Sequence, residues 1–242
     1  MKSKFFYTLL LLCALTIASC EDKKSTQKVT TEEKVAVKKD STPEEKSKAQ
    51  NDKLKKKLGS IIEDQSELIP FLTEYGKNNP ETLVRIKTSK GDIDVELYKD
   101  TPLHRANFIL LVKQDYFDKT MFHRVAKGFV DQGGNSDDYG TPRKRMRIGN
   151  YLVPNEAKPN HPHVRGAFSA AKYTEQNISE ASSPFEFFIV QAERGAHHLD
   201  GKHTVFGRVI KGMDVVDKIN EVPVDKSEWP LSNIYINVEL IK

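Results

Sequence analysis

The chain has 242 residues, with 38 Lys and Arg against 34 Asp and Glu and a hydrophobic content of 38%. Its positive excess is local: residues 21–58 carry 12 Lys and 8 acidic residues, whereas residues 59–242 are slightly acidic. The basic balance therefore belongs to the N-terminus and excludes a nucleic-acid-binding domain, which needs a basic face of its own. Both cysteines, Cys13 and Cys20, lie in the first 20 residues, so no disulfide can staple residues 21–242 and the core must hold by packing alone.

In chain order, Lys2 and Lys4 precede an apolar run from Phe5 to Leu15. That run is too short to span a bilayer, which takes about 20 apolar residues. It ends Ile17-Ala18-Ser19-Cys20, which resembles a bacterial lipobox. The expectation is a lipoprotein signal peptide over 1–19 and acylation of the Cys20 thiolate. The bland alternative is a secretory signal with an incidental cysteine. Two or more acyl chains anchor stably, so the expected location is the bacterial cell envelope. The protein would be held on a membrane, the outer membrane foremost, facing periplasm or cell surface. Residues 21–58 contain no Gly and no aromatic residue and have 20 charges in 38 positions. Such a stretch cannot offset its ordering entropy, and residues 20–53 read as a lipidated, disordered tether.

Leu54, Leu58, Ile61, Leu68, Leu72 and Tyr75, with Gln65 between, fall at helical spacing and predict a helical segment over 54–80, kinked or split at Pro70. Leu83–Thr88 and Asp92–Tyr98 alternate apolar and polar around Ser89-Lys90-Gly91, as a hairpin does. Thr101-Pro102 opens a helix, with Thr101 as its cap and Pro102 at its first position. Met121–Asn135 reads as a strand pair around Gly128. Phe185–Val190 and Thr204–Val209 read as strands, Met213–Ile219 as a second helix and Tyr235–Ile241 as a closing strand. Many short strands with two helices predict a mainly β fold, a closed antiparallel barrel capped by two helices.

Phe122-His123-Arg124-Val125, Gly128-Phe129, Gln132-Gly133-Gly134, Phe187-Phe188-Ile189 and Leu199-Asp200-Gly201-Lys202-His203 occur in one order over 83–242. In that order they resemble the cyclophilins, peptidyl-prolyl cis/trans isomerases with a β-barrel fold. The resemblance implies a catalytic Arg124 with Gln132 as its polar partner. It implies a proline pocket lined by Phe129, Val130, Phe188, Leu199 and His203, and places Ala171 and Lys172 along the substrate backbone. Glu186 and His198 complete the substrate-binding lining that the resemblance implies, and three positions of that lining depart from the family pattern: Glu186 stands where Gln is common, Lys172 where Asn is, and His198 where an aromatic is. Glu186 carries the sharpest consequence, since a carboxylate near Arg124 would pair with it and compete with substrate. His123 is expected to face away from Arg124, as its neighbour on a strand.

The chemistry agrees with these residue types. Amide resonance sets a barrier near 18–20 kcal/mol to rotation about X–Pro. Lowering it needs no nucleophile, metal or cofactor, only a charged donor to the prolyl nitrogen and an apolar wall for the ring. His197, His198 and His203 lie close in sequence, but no Cys or paired carboxylate joins them at a zinc-site spacing. The expected partners are proline-containing segments of envelope proteins and a membrane, with the protein itself a monomer. The alternative is a low-activity cyclophilin-like scaffold or holdase that grips proline segments without turning them over.

Overall fold

Eight strands bury apolar residues, alternately in the first and last and continuously in the two short central ones, and antiparallel pairing closes them on one another. The computed structural model describes residues 60–173 and 179–241. The signal peptide, Cys20, the tether and the first part of the helical stripe lie outside the described residues. The strands are β1 (Leu83–Thr88), β2 (Gly91–Leu97), β3 (Thr120–Ala126), β4 (Val130–Asn135), β5 (Ala167–Ala170), β6 (Phe187–Val190), β7 (Val205–Lys211) and β8 (Ile234–Leu240). They form a closed barrel in the order β1-β2-β7-β5-β6-β4-β3-β8, every pair antiparallel. The expected fold class is the one observed.

Among the described residues, four helices accompany the barrel: α1 (Leu68–Asn78), α2 (Pro102–Lys113), α3 (Gly140–Ile148) and α4 (Met213–Asn220). The two expected caps are α2 and α4. Phe108 of α2 meets Phe168 edge-on at 5.3 Å and Phe187 at 5.9 Å, joining helix to sheet through one aromatic cluster. Val215, Val216 and Ile219 of α4 belong to the same buried core.

Alternation sorts the residues of the central strands. Phe187 and Ile189 enter the main core, while Phe188 and Val190 join a second apolar cluster with Val130, Ala171 and Val205. On β4 the same rule sends Val130 and Gln132 one way. It turns Asp131 the other, opposite Val125 and Ile189, where it is fully buried.

Three local expectations change. Pro70 neither kinks nor splits a helix, because α1 begins at Leu68 and Pro70 sits in its first turn, where N–H groups have no intrahelical partner. Residues 60–64 of the stripe are not helical; a short 3₁₀ turn, Gln65–Glu67, precedes α1. Thr101 does not cap α2 with its side chain, which donates instead to the Tyr98 carbonyl at 3.3 Å. The carboxylate of Glu156 takes that place, accepting from the backbone N–H of Leu103 at 3.1 Å and His104 at 2.9 Å. The charge suits the positive end of a helix.

α1 lies on α2, burying Leu68, Leu72 and Gly76. Arg105 of α2 donates to the carbonyls of Gly76 at 2.9 Å and Asn79 at 2.7 Å, closing the C-terminal end of α1. The helical segment thus packs on its own domain.

Candidate active site

The β3–β4 hairpin turns at Gly128, whose φ of 67° favours glycine. Its register places Arg124 opposite Gln132, so the two side chains leave the hairpin on one face. Gly133 and Gly134 follow because neighbours come close. A Cβ on Gly134, at φ 99°, would stand 2.2 Å from the Phe185 carbonyl oxygen, and one on Gly133 2.9 Å from the Phe187 ring. The close approach brings the start of β6, with Glu186 and Phe188, beside Gln132.

One cleft of about 780 Å³ results, lined by Arg124, Phe129, Val130, Gln132, Ala171, Lys172, Glu186, Phe188, Leu199 and His203, together with Asn135, Arg145 and Tyr173. Phe129, Val130, Ala171, Phe188 and Leu199 belong to the second apolar cluster, so one part of the lining is greasy. His163 stacks on Phe188 with centroids 5.9 Å apart, and is itself held by Asp200 at 2.7 Å and Ser169 at 3.0 Å. His203 donates Nδ1–H to the Ala170 carbonyl at 3.0 Å, which leaves Nε2 as an acceptor. Burial pushes the His203 pKa down, with the charge of Lys172 adding to it, so the ring stays neutral at pH 7.

Polar residues in the cleft pair differently from the sequence expectation. Glu186 does not pair with Arg124. Its Oε1 accepts from Arg145 Nη2 at 3.0 Å and its Oε2 from Gln132 Nε2 at 3.0 Å, with His123 Nε2 at 3.5 Å. Arg124 pairs through Nε with Glu228 Oε2 at 2.7 Å, from the loop between α4 and β8. His123 does not simply face away. A bulge between Phe122 and Arg124 leaves it as the extra residue, and its ring reaches Glu186.

Lys172 is occupied: its side chain is 3% exposed and pairs with Glu180. Ala171 offers a wall but no free backbone group, since its N–H donates to the Glu186 carbonyl at 3.0 Å and its carbonyl accepts from Ser183 at 2.8 Å. His198 does not line the cleft; it stacks on Phe129 at 5.4 Å and buttresses that ring. His197 is engaged by Asp200 at 3.0 Å, so the three histidines close in sequence have three separate partners. Asn135, Arg145 and Tyr173 were not legible beforehand. Arg145 sits in a run of cations whose pattern resembles any solvated helix face.

The family model for cyclophilin type peptidyl-prolyl cis-trans isomerases matches residues 83–239. The chain belongs to that family. Among the relatives of this cyclophilin, a peptidyl-prolyl cis-trans isomerase of Acinetobacter baylyi is 38% identical over 146 residues, 59% of this chain and 73% of the relative. Peptidyl-prolyl cis-trans isomerase-like 2 of Rhizopus delemar is 39% identical over 164 residues, 67% of this chain, which spans only 29% of that longer protein. A solved cyclophilin of Cryptosporidium parvum, crystallised in the presence of the dipeptide ala-pro, superposes with a TM-score of 0.55 and 28% identity. It covers 66% of this chain and 99% of its own. Helix α1 and the residues before it precede the family match.

Proposed function

We propose that this cyclophilin isomerises X–Pro bonds by Arg124-assisted weakening of amide resonance, on proline segments of proteins in a bacterial envelope. As the prolyl nitrogen pyramidalises it gains a lone pair, and the guanidinium donates to it while staying charged at any working pH. The ion pair with Glu228 is made through Nε, and the role at the prolyl nitrogen falls to the Nη groups. Phe129, Val130, Phe188, Leu199 and His203 hold the ring while the preceding carbonyl swings. Donors preorganised for the twisted state favour it over both planar ones.

The observation that carries this reading is the cross-strand pairing of Arg124 with Gln132 in a partly apolar cleft. The ala-pro dipeptide present with the Cryptosporidium parvum cyclophilin supports the same ligand class. The scaffold alternative drew on a carboxylate competing for Arg124 from position 186, and Glu186 has other partners. A protease-coupled assay on an Ala-Pro peptide tests the mechanism. Arg124→Ala should lose about 10²-fold or more in kcat/KM at unchanged melting temperature; an unchanged rate in the folded variant sinks it.

A further inference from the structure

Gln132 carries one acceptor and two donor hydrogens on a planar amide, and which end faces Arg124 decides whether it helps or opposes the guanidinium. Glu186 settles the matter, because an ionised carboxylate only accepts. With Glu186 Oε2 3.0 Å from Gln132 Nε2, the NH₂ end is committed and the carbonyl end remains for the side shared with Arg124. The other oxygen, Oε1, is taken by Arg145 Nη2 at 3.0 Å. Arg145 is itself fixed: Nε donates to the Tyr116 hydroxyl at 3.0 Å, and the guanidinium lies 5.2 Å from the Phe185 ring centre.

We propose that Arg145 is a positioning residue for isomerisation: by holding Glu186 as a carboxylate in one orientation, it sets the Gln132 amide with its carbonyl toward Arg124. This rests on the Arg124 mechanism above.

The groups facing Glu186 are Gln132 from β4, His123 from β3, Arg145 from α3, and the phenols of Tyr116 and Tyr173. Burial alone would push the Glu186 carboxyl up; the hydrogen bond from His123 and the charges of His123 and Arg145 outweigh it and hold the pKa below its ordinary value. Of these partners only Arg145 is charged at every working pH.

The sequence of hydrogen-bond choices predicts a sign. In Glu186→Gln, Arg145 must take the new amide oxygen, so the new NH₂ faces Gln132. Gln132 then turns its carbonyl to residue 186 and its own NH₂ toward the Arg124 guanidinium. Removing Arg145 as well frees the substituted amide at position 186 to present its oxygen to Gln132 and restores the original orientation. In Arg145→Met alone, the buried carboxyl loses its permanent counter-charge and its pKa rises. The protonated form, now a donor, no longer fixes Gln132.

The test is kcat/KM of the full chain from pH 5.5 to 8 on one Ala-Pro peptide. Glu186→Gln should lie about tenfold below wild type, and Arg145→Met/Glu186→Gln should recover most of that loss. Arg145→Met should lie below wild type, and the gap should widen as pH drops. Arg145→Lys keeps the charge, so its profile should run parallel to wild type, and Arg145→Lys/Glu186→Gln should show no recovery. This lysine pair carries the test should the methionine variant not fold. Additive losses in the methionine double variant, recovery in the lysine double variant, or a wild-type rate in Glu186→Gln would each overturn the proposal. Arg124→Ala separates the two readings. An inactive Arg124→Ala beside an additive cycle removes only the role of Arg145; an active one removes the mechanism itself.

Discussion

Arg124 and Arg145 each hold a carboxylate, and exchanging those partners would change the chemistry. Glu228 reaches Arg124 from a loop pinned by Asp225, whose Oδ1 accepts from the N–H groups of Ser227 at 2.7 Å and Trp229 at 3.0 Å. That pair is well exposed, so it orients Arg124 for at most about 1 kcal/mol and leaves it free to meet a substrate. Glu186 is far less exposed and acts on Gln132 instead. Asp131 shows the opposite case, an acid buried without a counter-charge. Its Oδ1 accepts from Asn220 at 2.7 Å, but Oδ2 has no partner among the described residues. Burial pushes its pKa up to about 7, against the lowering effect of Asn220. Folding therefore favours the protonated form. The associated stability is full below the unfolded value near 4 and is lost as pH rises toward 7, by roughly 1.4 kcal/mol per pH unit in between. Urea denaturation at pH 5 and pH 8 should show wild type losing stability at the higher pH and Asp131→Asn losing little. Parallel losses in the two proteins would refute this account.

At the scale of elements, α3 is the helix that local propensity least explains. Gly140–Ile148 has four cations and buries only Thr141 and Ile148. Tertiary partners hold it. Lys144 donates to the carbonyls of Asp115, Tyr116 and Asp118 at 2.8, 3.1 and 2.7 Å. Its last four carbonyls, which no helix satisfies internally, are all taken. Gly149 N–H donates to Arg145, and Ser60 Oγ, Ile61 N–H and Ile62 N–H donate to Met146, Arg147 and Ile148, each within 3.0 Å. Residues 60–62, ahead of the family match, thus close the helix that delivers Arg145 to the cleft. The approach is tight: at Gly149, φ 137°, a Cβ would lie 2.2 Å from the Ile62 carbonyl oxygen. Gly149→Ala should cost about 2 kcal/mol or more, through strain and loss of this closure. A denaturation midpoint within error of wild type would mean that the segment and α3 separate without penalty.

For the whole molecule, the functional unit we propose is a cyclophilin domain on an acylated tether. If residues 20–53 behave as the tether their composition leads one to expect, flexible-chain scaling gives an r.m.s. reach of about 30–35 Å. Cys20→Ala should move the protein from the membrane to the soluble fraction while leaving kcat/KM on a short peptide unchanged. Equal partitioning of wild type and variant would remove the anchor from the proposal.

Several strands were legible from neighbouring residues: Leu83–Thr88 by its alternating burial, Phe187–Val190 as a continuous apolar run buried at every position; β5, four residues buried throughout, carried no such signal of its own. The ordered motifs likewise marked Arg124, Gln132, Phe129, Phe188, Leu199 and His203, which the cleft gathers. Partner choice was not written locally. Whether Glu186 met Arg124 or Arg145 depended on a bulge at His123, on a helix with no apolar stripe, and on a loop bringing Glu228 across from β8. His198 passed from cleft wall to buttress for the same reason: its neighbour in space, Phe129, comes from another part of the chain. Strand periodicity is a property of consecutive residues and survives in the sequence. Ion pairing and amide orientation are decided by distances of about 3 Å between residues far apart in the chain, and only the closed barrel sets those distances.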